Sequence, residues 1–186
     1  AVQNASLSLF KGKLTVELKD DNLADIVSET VEAWRPGFDR SGVRLEFERN
    51  GNDLGGKFDR GMLRIALDNL IDNALRHAYL EKERNPAREA VVKVKVIRED
   101  GDTFITVEDS GAGIPKSERK RIFKRFKRVK GDALTGVSGL GIGLSLVREI
   151  IQAHGGKVDV GESPLGGAKF YLILSLRRTG LRSRPA

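Results

Sequence analysis

Apolar and polar positions alternate in four stretches of the chain. KLTVELK places Leu14, Val16 and Leu18 on one side, and VRLEFE does the same with Val43, Leu45 and Phe47. VVKVKVI sets Val92, Val94 and Val96 opposite Lys93 and Lys95, and KFYLILSL offers Phe170, Leu172, Leu174 and Leu176. A period of two marks strands with one buried and one solvated face. A purely parallel sheet, buried on both faces, would instead give continuous apolar runs. Between these stretches the spacing changes to three and four. Leu23, Ile26, Val27 and Trp34 form a stripe after Asp21. A second helical pattern runs from Asp59, a suitable N-cap, to about His77, with Leu63, Ala66, Leu67, Leu70, Ile71, Ala74 and Ala78 as its buried stripe. A third runs from about Ile142 to His154 and is ended by Gly155-Gly156. REDGD, residues 98–102, reads as a hairpin turn. These elements predict an α+β fold: a two-layer α/β sandwich with one mixed sheet of about five strands and three main helices on one face.

Three segments stand outside this pattern. YLEKERNPARE, residues 79–89, is charged and contains Pro86, and reads as a loop or a frayed helix end. VKGDALTGVSG, residues 129–139, is rich in small residues and is expected to be mobile, and the basic tail after about Arg177 is expected to be disordered. Composition narrows the class. The chain has 186 residues, 39% of them apolar and 32% charged, which suits one soluble domain. Without cysteine there is neither a disulfide nor a thiolate metal site. No apolar run approaches the length of about 20 residues that spans a bilayer. The chain begins at Ala1, not Met, so it reads as a fragment, and a membrane anchor upstream stays open. The net charge is +7, with much of the excess in KSERKRIFKRFKRVK, residues 116–130. That run is a solvated helix face or a surface for an acidic partner or phosphate. Nucleic acid ranks third, since a basic patch alone names no groove-reading element.

Three stretches carry candidate chemistry. In LDNLIDNALRHA, residues 67–78, Asn69 and Asn73 flank the buried stripe, about 6 Å apart along the axis. An amide oxygen there is either a ligand for Mg²⁺ that already carries phosphate oxygens, or simply bonded to water. In TFITVEDSGAGIP, residues 103–115, strand parity puts Asp109 on the same face as Ile105 and Val107. A carboxylate on the core side is costly unless a partner satisfies it. Asp109 is therefore either the acceptor for an exocyclic amine such as adenine N6, with Gly111 and Gly113 letting backbone approach a flat ligand, or part of an Asx-turn at a strand end. In SGLGIGLSLV, residues 138–147, Gly139, Gly141 and Gly143 open a helix, whose free N–H groups favour an anion. The spacing is G-x-G-x-G with no strand before it and no G-K-[ST] after it, so neither the dinucleotide fingerprint nor the P-loop applies. Zinc signatures and the G-x-S-x-G elbow are absent as well.

Taken in this order, the stretches resemble the catalytic ATP-binding domain of sensor histidine kinases, in the superfamily shared with gyrase, the heat-shock chaperone ATPases and the mismatch-repair ATPases. LDNLIDNALRHA is similar to the family's N box, DSGAGIP to its G1 box, IFKRFKRV to its F box and GLGIGL to its G2 box. AHGGKVDV and GGAKFYLIL match the closing helix end and strands, so the resemblance covers roughly residues 14–176. It implies a domain over residues 13–177, with 1–12 as the remnant of a linker from dimerisation and phosphoacceptor helices and 178–186 as a tail.

The resemblance also implies roles. Asn73 would hold Mg²⁺ against the triphosphate of ATP, with Asn69 lining the same site. Arg76 and His77 would approach phosphates or ribose, and Asp109 would read adenine N6 in a pocket shaped by Gly111 and Gly113. Gly139, Gly141 and Gly143 would cradle phosphates, with Leu140 and Leu144 packed nearby. Arg128 would reach the γ-phosphate, and residues 129–138 would form a lid. Hydrolysing relatives carry a water-activating glutamate where Asn69 stands, and Asp68 lies about 100° away around the helix. Kinase activity is therefore expected over hydrolysis. His77 and His154 are the two histidines, and neither matches an acceptor motif, so the fragment is expected to bind ATP without phosphorylating itself. The implied partners are the helical acceptor domain of a homodimeric, cytoplasmic or membrane-anchored parent and a downstream response regulator, with no nucleic acid. The competing readings are an anti-sigma-type serine/threonine kinase and a nucleotide-sensing pseudokinase module.

Overall fold

The computed structural model describes residues 14–51, 54–99, 102–125 and 141–175. Strand β1 (Lys19–Asn22) leads into helix α1 (Leu23–Ser41), β2 (Arg44–Asn50), β3 (Gly55–Phe58) and helix α2 (Arg60–Arg84). The hairpin β4 (Val91–Glu99) and β5 (Asp102–Asp109) follows, then helix α3 (Gly143–Ala153), β6 (Lys157–Glu162) and β7 (Ala168–Ser175). Five strands make one sheet in the order β2-β4-β5-β7-β6. It is mixed, as expected: β2 runs parallel to β4, and the other pairings are antiparallel.

One face of this sheet is the core. Val92, Val94 and Val96 on β4, Ile105 and Val107 on β5, and Phe170, Leu172 and Leu174 on β7 are buried against the helices. The α2 stripe from Leu63 to Ala78 lies on them with all seven expected residues buried. The opposite face is polar, as alternation requires. There Lys93 bridges Glu46 and Glu48, Lys95 pairs with Glu48, and Lys169 pairs with Glu108. The partly exposed pairs of Lys93 and Lys95 add little stability, whereas Glu108 is buried beside Lys169.

The helix ends are set by local chemistry. Asn22 caps α1 through Ala24 N–H at 2.9 Å, and Asp59 caps α2 through Met62 N–H at 3.0 Å. Gly155 ends α3 with a left-handed φ of 74°, where any side chain would be strained. His154 sits just before it and reaches across the domain: its Nε2 accepts from Asp59 N–H at 3.0 Å, so Nδ1 carries the proton and donates to Ile150 O at 2.8 Å. The same Asp59 accepts from Glu17 N–H at 2.9 Å. The entering chain, the start of α2 and the end of α3 are thus pinned at one point.

Three expectations are corrected. The alternation in KLTVELK does not make a strand: β1 begins only at Lys19 and pairs with β3 in a separate two-stranded sheet. The preceding residues spend a main-chain donor on the α2 cap instead, and Leu18 is 45% exposed. Second, α2 continues to Arg84, about two turns past His77. A tertiary contact holds these charged turns, Lys82 Nζ donating to Gly42 O at 2.7 Å, and the local bond of Asn85 N–H to Glu81 O at 2.9 Å closes the helix. Pro86 then stops it. Third, the described part of the basic run, 116–125, is a series of turns rather than a helix face, with Glu118 N–H on Pro115 O and Lys124 N–H on Arg121 O. Ile122 and Phe123 are buried as their spacing suggested, and Phe123 meets Phe170 edge-on at 6.3 Å. Phe126, Arg128, Gly139, Leu140, the expected lid, the linker remnant and the tail lie outside the described residues.

Candidate functional site

Asn69, Asn73 and His77 succeed one another at intervals of four along α2 and so share one face of the helix. Each end of this row meets another element. At the first, Asn69 Nδ2 bonds back to Ile65 O at 2.7 Å, which turns its oxygen toward the start of α3. A Cβ on Gly143 would stand 2.6 Å from that oxygen, so any larger residue there would displace the Asn69 amide. At the other end, a Cβ on Gly111 would stand 3.0 Å from His77 Cβ. From Asn69 to His77 the axis rises by about 12 Å. Asn73 is half-buried midway along this row.

Asn22 and Asp59 cap the other two helices, whereas among the described residues no side chain caps α3, and Ser145 Oγ bonds to Ile142 O. The first N–H groups of a helix and its dipole attract an anion. Gly141, with φ of 67°, turns the chain into this helix, and Leu144 packs partly on the core. Arg76 lies one helical turn past Asp72 and is paired with it.

Asp109 is 2% exposed at the end of β5. Its Oδ1 accepts from Gly111 N–H at 2.9 Å and from Ala168 N–H at 3.2 Å, while among the described residues nothing bonds to Oδ2. Burial pushes this carboxyl above the usual aspartate range. The two N–H bonds, His77 and Arg88 oppose that shift. Strand parity placed the carboxylate on the core face, and Oδ1 makes the turn at the strand end through Gly111 N–H. Gly113, with φ of 75°, lies against Gly167 O.

The turn before β7 was missed as part of the site. Gly167 N–H donates to Asp109 O at 3.1 Å, and a Cβ on Gly167 would collide with both Asp109 Oδ1 and its main-chain oxygen. The GG at 166–167 was the available signal, read only as the approach to a strand. Asp68, adjacent to Asn69 in sequence, is committed elsewhere: its Oδ1 accepts from Trp34 Nε1 at 2.8 Å across the α1–α2 seam.

The donor set fits Mg-ATP. Among the described residues no group of three or more acidic or histidine side chains could hold a bare metal ion. A lone amide such as Asn73 suits a cation that arrives with phosphate oxygens as its other ligands.

Comparison with known proteins adds a family. A family model described as "Histidine kinase-, DNA gyrase B-, and HSP90-like ATPase" matches residues 58–178. The alginate biosynthesis sensor protein KinB of Pseudomonas aeruginosa is 33% identical over 166 residues, covering 88% of this chain and 25% of KinB. The chain thus spans about a quarter of that relative's length. Among solved structures, the nucleotide-free catalytic domain of histidine kinase ThkA superposes with a TM-score of 0.72 at 24% identity, over 87% of this chain and 97% of that one. ThkA in complex with the response regulator protein TrrA gives 0.75 at 22% identity, over 95% of this chain and 48% of that one. At these identities the two structures establish the shared fold. Among the described residues, no helix is long and apolar enough to cross a membrane.

Proposed function

The chain belongs to the family of histidine kinase-, DNA gyrase B- and HSP90-like ATPases, as a catalytic ATP-binding domain of the sensor histidine kinase type, and from that premise we propose that it holds Mg-ATP for γ-phosphoryl transfer to a histidine on a separate helical domain. The observation that carries this reading is the row Asn69–Asn73–His77, which runs from the start of α3 to the turn at Gly111 beside Asp109. Asp109 Oδ2 would accept from adenine N6, with Gly111 and Gly113 against the base. Asn73 would hold Mg²⁺, whose charge neutralises phosphate oxygens. Gly141, Gly143 and the first N–H groups of α3 would bind phosphate, with Leu144 packed beside them, and Gly139, Leu140 and Arg128 keep the parts the family gives them. Arg76 and His77 face the ribose and phosphates, Arg76 exchanging Asp72 for a phosphate oxygen.

Transfer is favoured over hydrolysis by the residues beside the metal position. An amide at 69 takes no proton from water, and Asp68 is bonded to Trp34. What these groups supply is position and charge neutralisation, which phosphoryl transfer needs most. The acceptor helices belong to the remainder of a longer, homodimeric parent that presents this domain to the cytoplasm. The ThkA–TrrA complex supports a response regulator as the next partner.

Incubating the chain with the parent's helix pair and γ-labelled Mg-ATP should give acid-labile phosphohistidine on the helix pair and none on the chain alone. Acid-stable label on serine or threonine of a partner would instead favour an anti-sigma-type kinase. ATP binding without transfer to any partner would leave a nucleotide-sensing module.

A further inference from the structure

The segment between α2 and β4, residues 85–90, contains Pro86, Arg88 and Glu89. It places one arginine where two distant parts of the chain meet. Arg88 N–H bonds to Asn85 O at 2.9 Å, which folds the segment back on the helix end. The guanidinium then forks. Nη1 reaches Glu81 Oε1 on the last turns of α2 at 3.4 Å, and Nη2 donates to Leu165 O at 2.9 Å, 77 residues further on.

Leu165 belongs to the turn that shapes the floor of the base end. Ser163 holds this turn internally, its Oγ accepting from Leu165 N–H at 3.0 Å and its O from Gly166 N–H at 2.8 Å. At Gly166 φ is 93°, and a Cβ there would collide with Arg88 Nη2, so guanidinium and turn are in direct contact. The next two N–H groups of the chain, Gly167 and Ala168, are those that bond to Asp109 O and Oδ1.

We propose that Arg88 is a positioning residue for base recognition: by clamping the 163–167 turn to the end of α2 it fixes the Gly167 and Ala168 amides, which hold the main-chain oxygen and the carboxylate of Asp109. The inference rests on the reading of Asp109 as the adenine acceptor and names a residue that the nucleotide motifs do not contain. A planar five-donor fork suits this bridging task, whereas lysine offers a single point of attachment. Charge works in the same direction. The groups acting on Asp109 besides its two N–H donors are His77 from α2 and Arg88, and both hold its proton affinity down against burial. A proton on Asp109 would go to Oδ2, because Oδ1 already accepts two bonds. Oδ2 would then present a donor to the amino group of adenine.

The test measures Mg-ATP and Mg-GTP affinity by calorimetry between pH 6 and 8, for the 186-residue chain and its Arg88→Ala, Arg88→Lys and Asp109→Asn variants. Amide NMR of Gly167 and Ala168 is recorded in parallel, and thermal melts identify any variant that fails to fold. Arg88→Ala should bind ATP about tenfold more weakly at pH 8, an effect equal to about 1.4 kcal/mol. The deficit should widen on acidification, and the two amide resonances should move. Arg88→Lys should recover the wild-type pH profile through its charge but only part of the affinity, a split that a general loss of stability would not produce. If Asp109→Asn weakens ATP binding while Arg88→Ala or Arg88→Lys binds as wild type at every pH, the role of Arg88 is overturned and the base-reading role survives. If Asp109→Asn binds ATP as wild type, the premise fails, and the role of Arg88 with it.

Discussion

The two ends of the row on α2 are built from different materials. At the proposed base end a carboxylate with 2% exposure is held by main-chain amides, and glycines at 111 and 167 let backbone close around it. At the proposed phosphate end the groups are half-buried side chains: Asn69 bonds to Ile65 O and Arg76 pairs with Asp72. The first end is fixed by the fold and cannot be altered without disturbing the backbone. The second rests on side chains, which can exchange partners when an anion arrives. The recognition half should therefore couple function to stability, and the transfer half should not.

The largest expected effect tests the transfer half. Asn73→Ala should lower transfer to a supplied acceptor domain at least about 100-fold, the upper end of what losing even a supporting contact to a metal ligand costs. Its denaturant midpoint should correspond to a change within about 0.5 kcal/mol. A large drop in stability would break the distinction between the ends. Next comes Gly167→Ala, which forces atoms against Asp109 and should cost about 3 kcal/mol of folding stability together with ATP affinity, read from urea titrations and calorimetry. Retained stability would show that the base end is softer than its contacts indicate.

Asp109→Asn should cost about 1–3 kcal/mol of ATP affinity, because the amide nitrogen replaces an acceptor and meets the amino group of the base. The same carboxyl sharpens the comparison through pH. Its folded-state pKa is raised by burial. Between the ordinary aspartate value of about 3.9 and that raised value, the folded state binds more protons than the unfolded state. Stability contributed by this group therefore rises as pH falls through the window, and is lost as pH rises through the folded pKa. ATP affinity should run the other way, and both trends should vanish in Asp109→Asn. The smallest effect is Trp34→Phe, which removes the bond to Asp68. It should cost about 1 kcal/mol in a thermal melt and leave ATP affinity unchanged.

What the sequence disclosed follows the same division. Every expected member of the α2 stripe is buried, and the faces of β4, β5 and β7 are as alternation placed them, because period alone decides which side of an element meets the core. The row of amides was visible for that reason. The clamp on Asp109 was not, since Ala168 and Asp109 are 59 positions apart and a main-chain donor leaves no mark on residue identity. Likewise, nothing in AHGG distinguishes a helix-end histidine from one whose Nε2 closes on a cap 95 residues away. The short ribbon of β1 and β3 escaped notice because KDDN and GGKF carry no apolar alternation.

The seam between α1 and α2 has a spectroscopic consequence. Trp34 is the chain's single tryptophan, and the carboxylate it bonds to directly precedes Asn69 in sequence. Excitation of that one indole isolates a signal from the back of the helix that carries the amide row. Its emission colour and quenching by iodide would report, without any added dye, whether those two helices stay docked while a nucleotide is taken up on the opposite side.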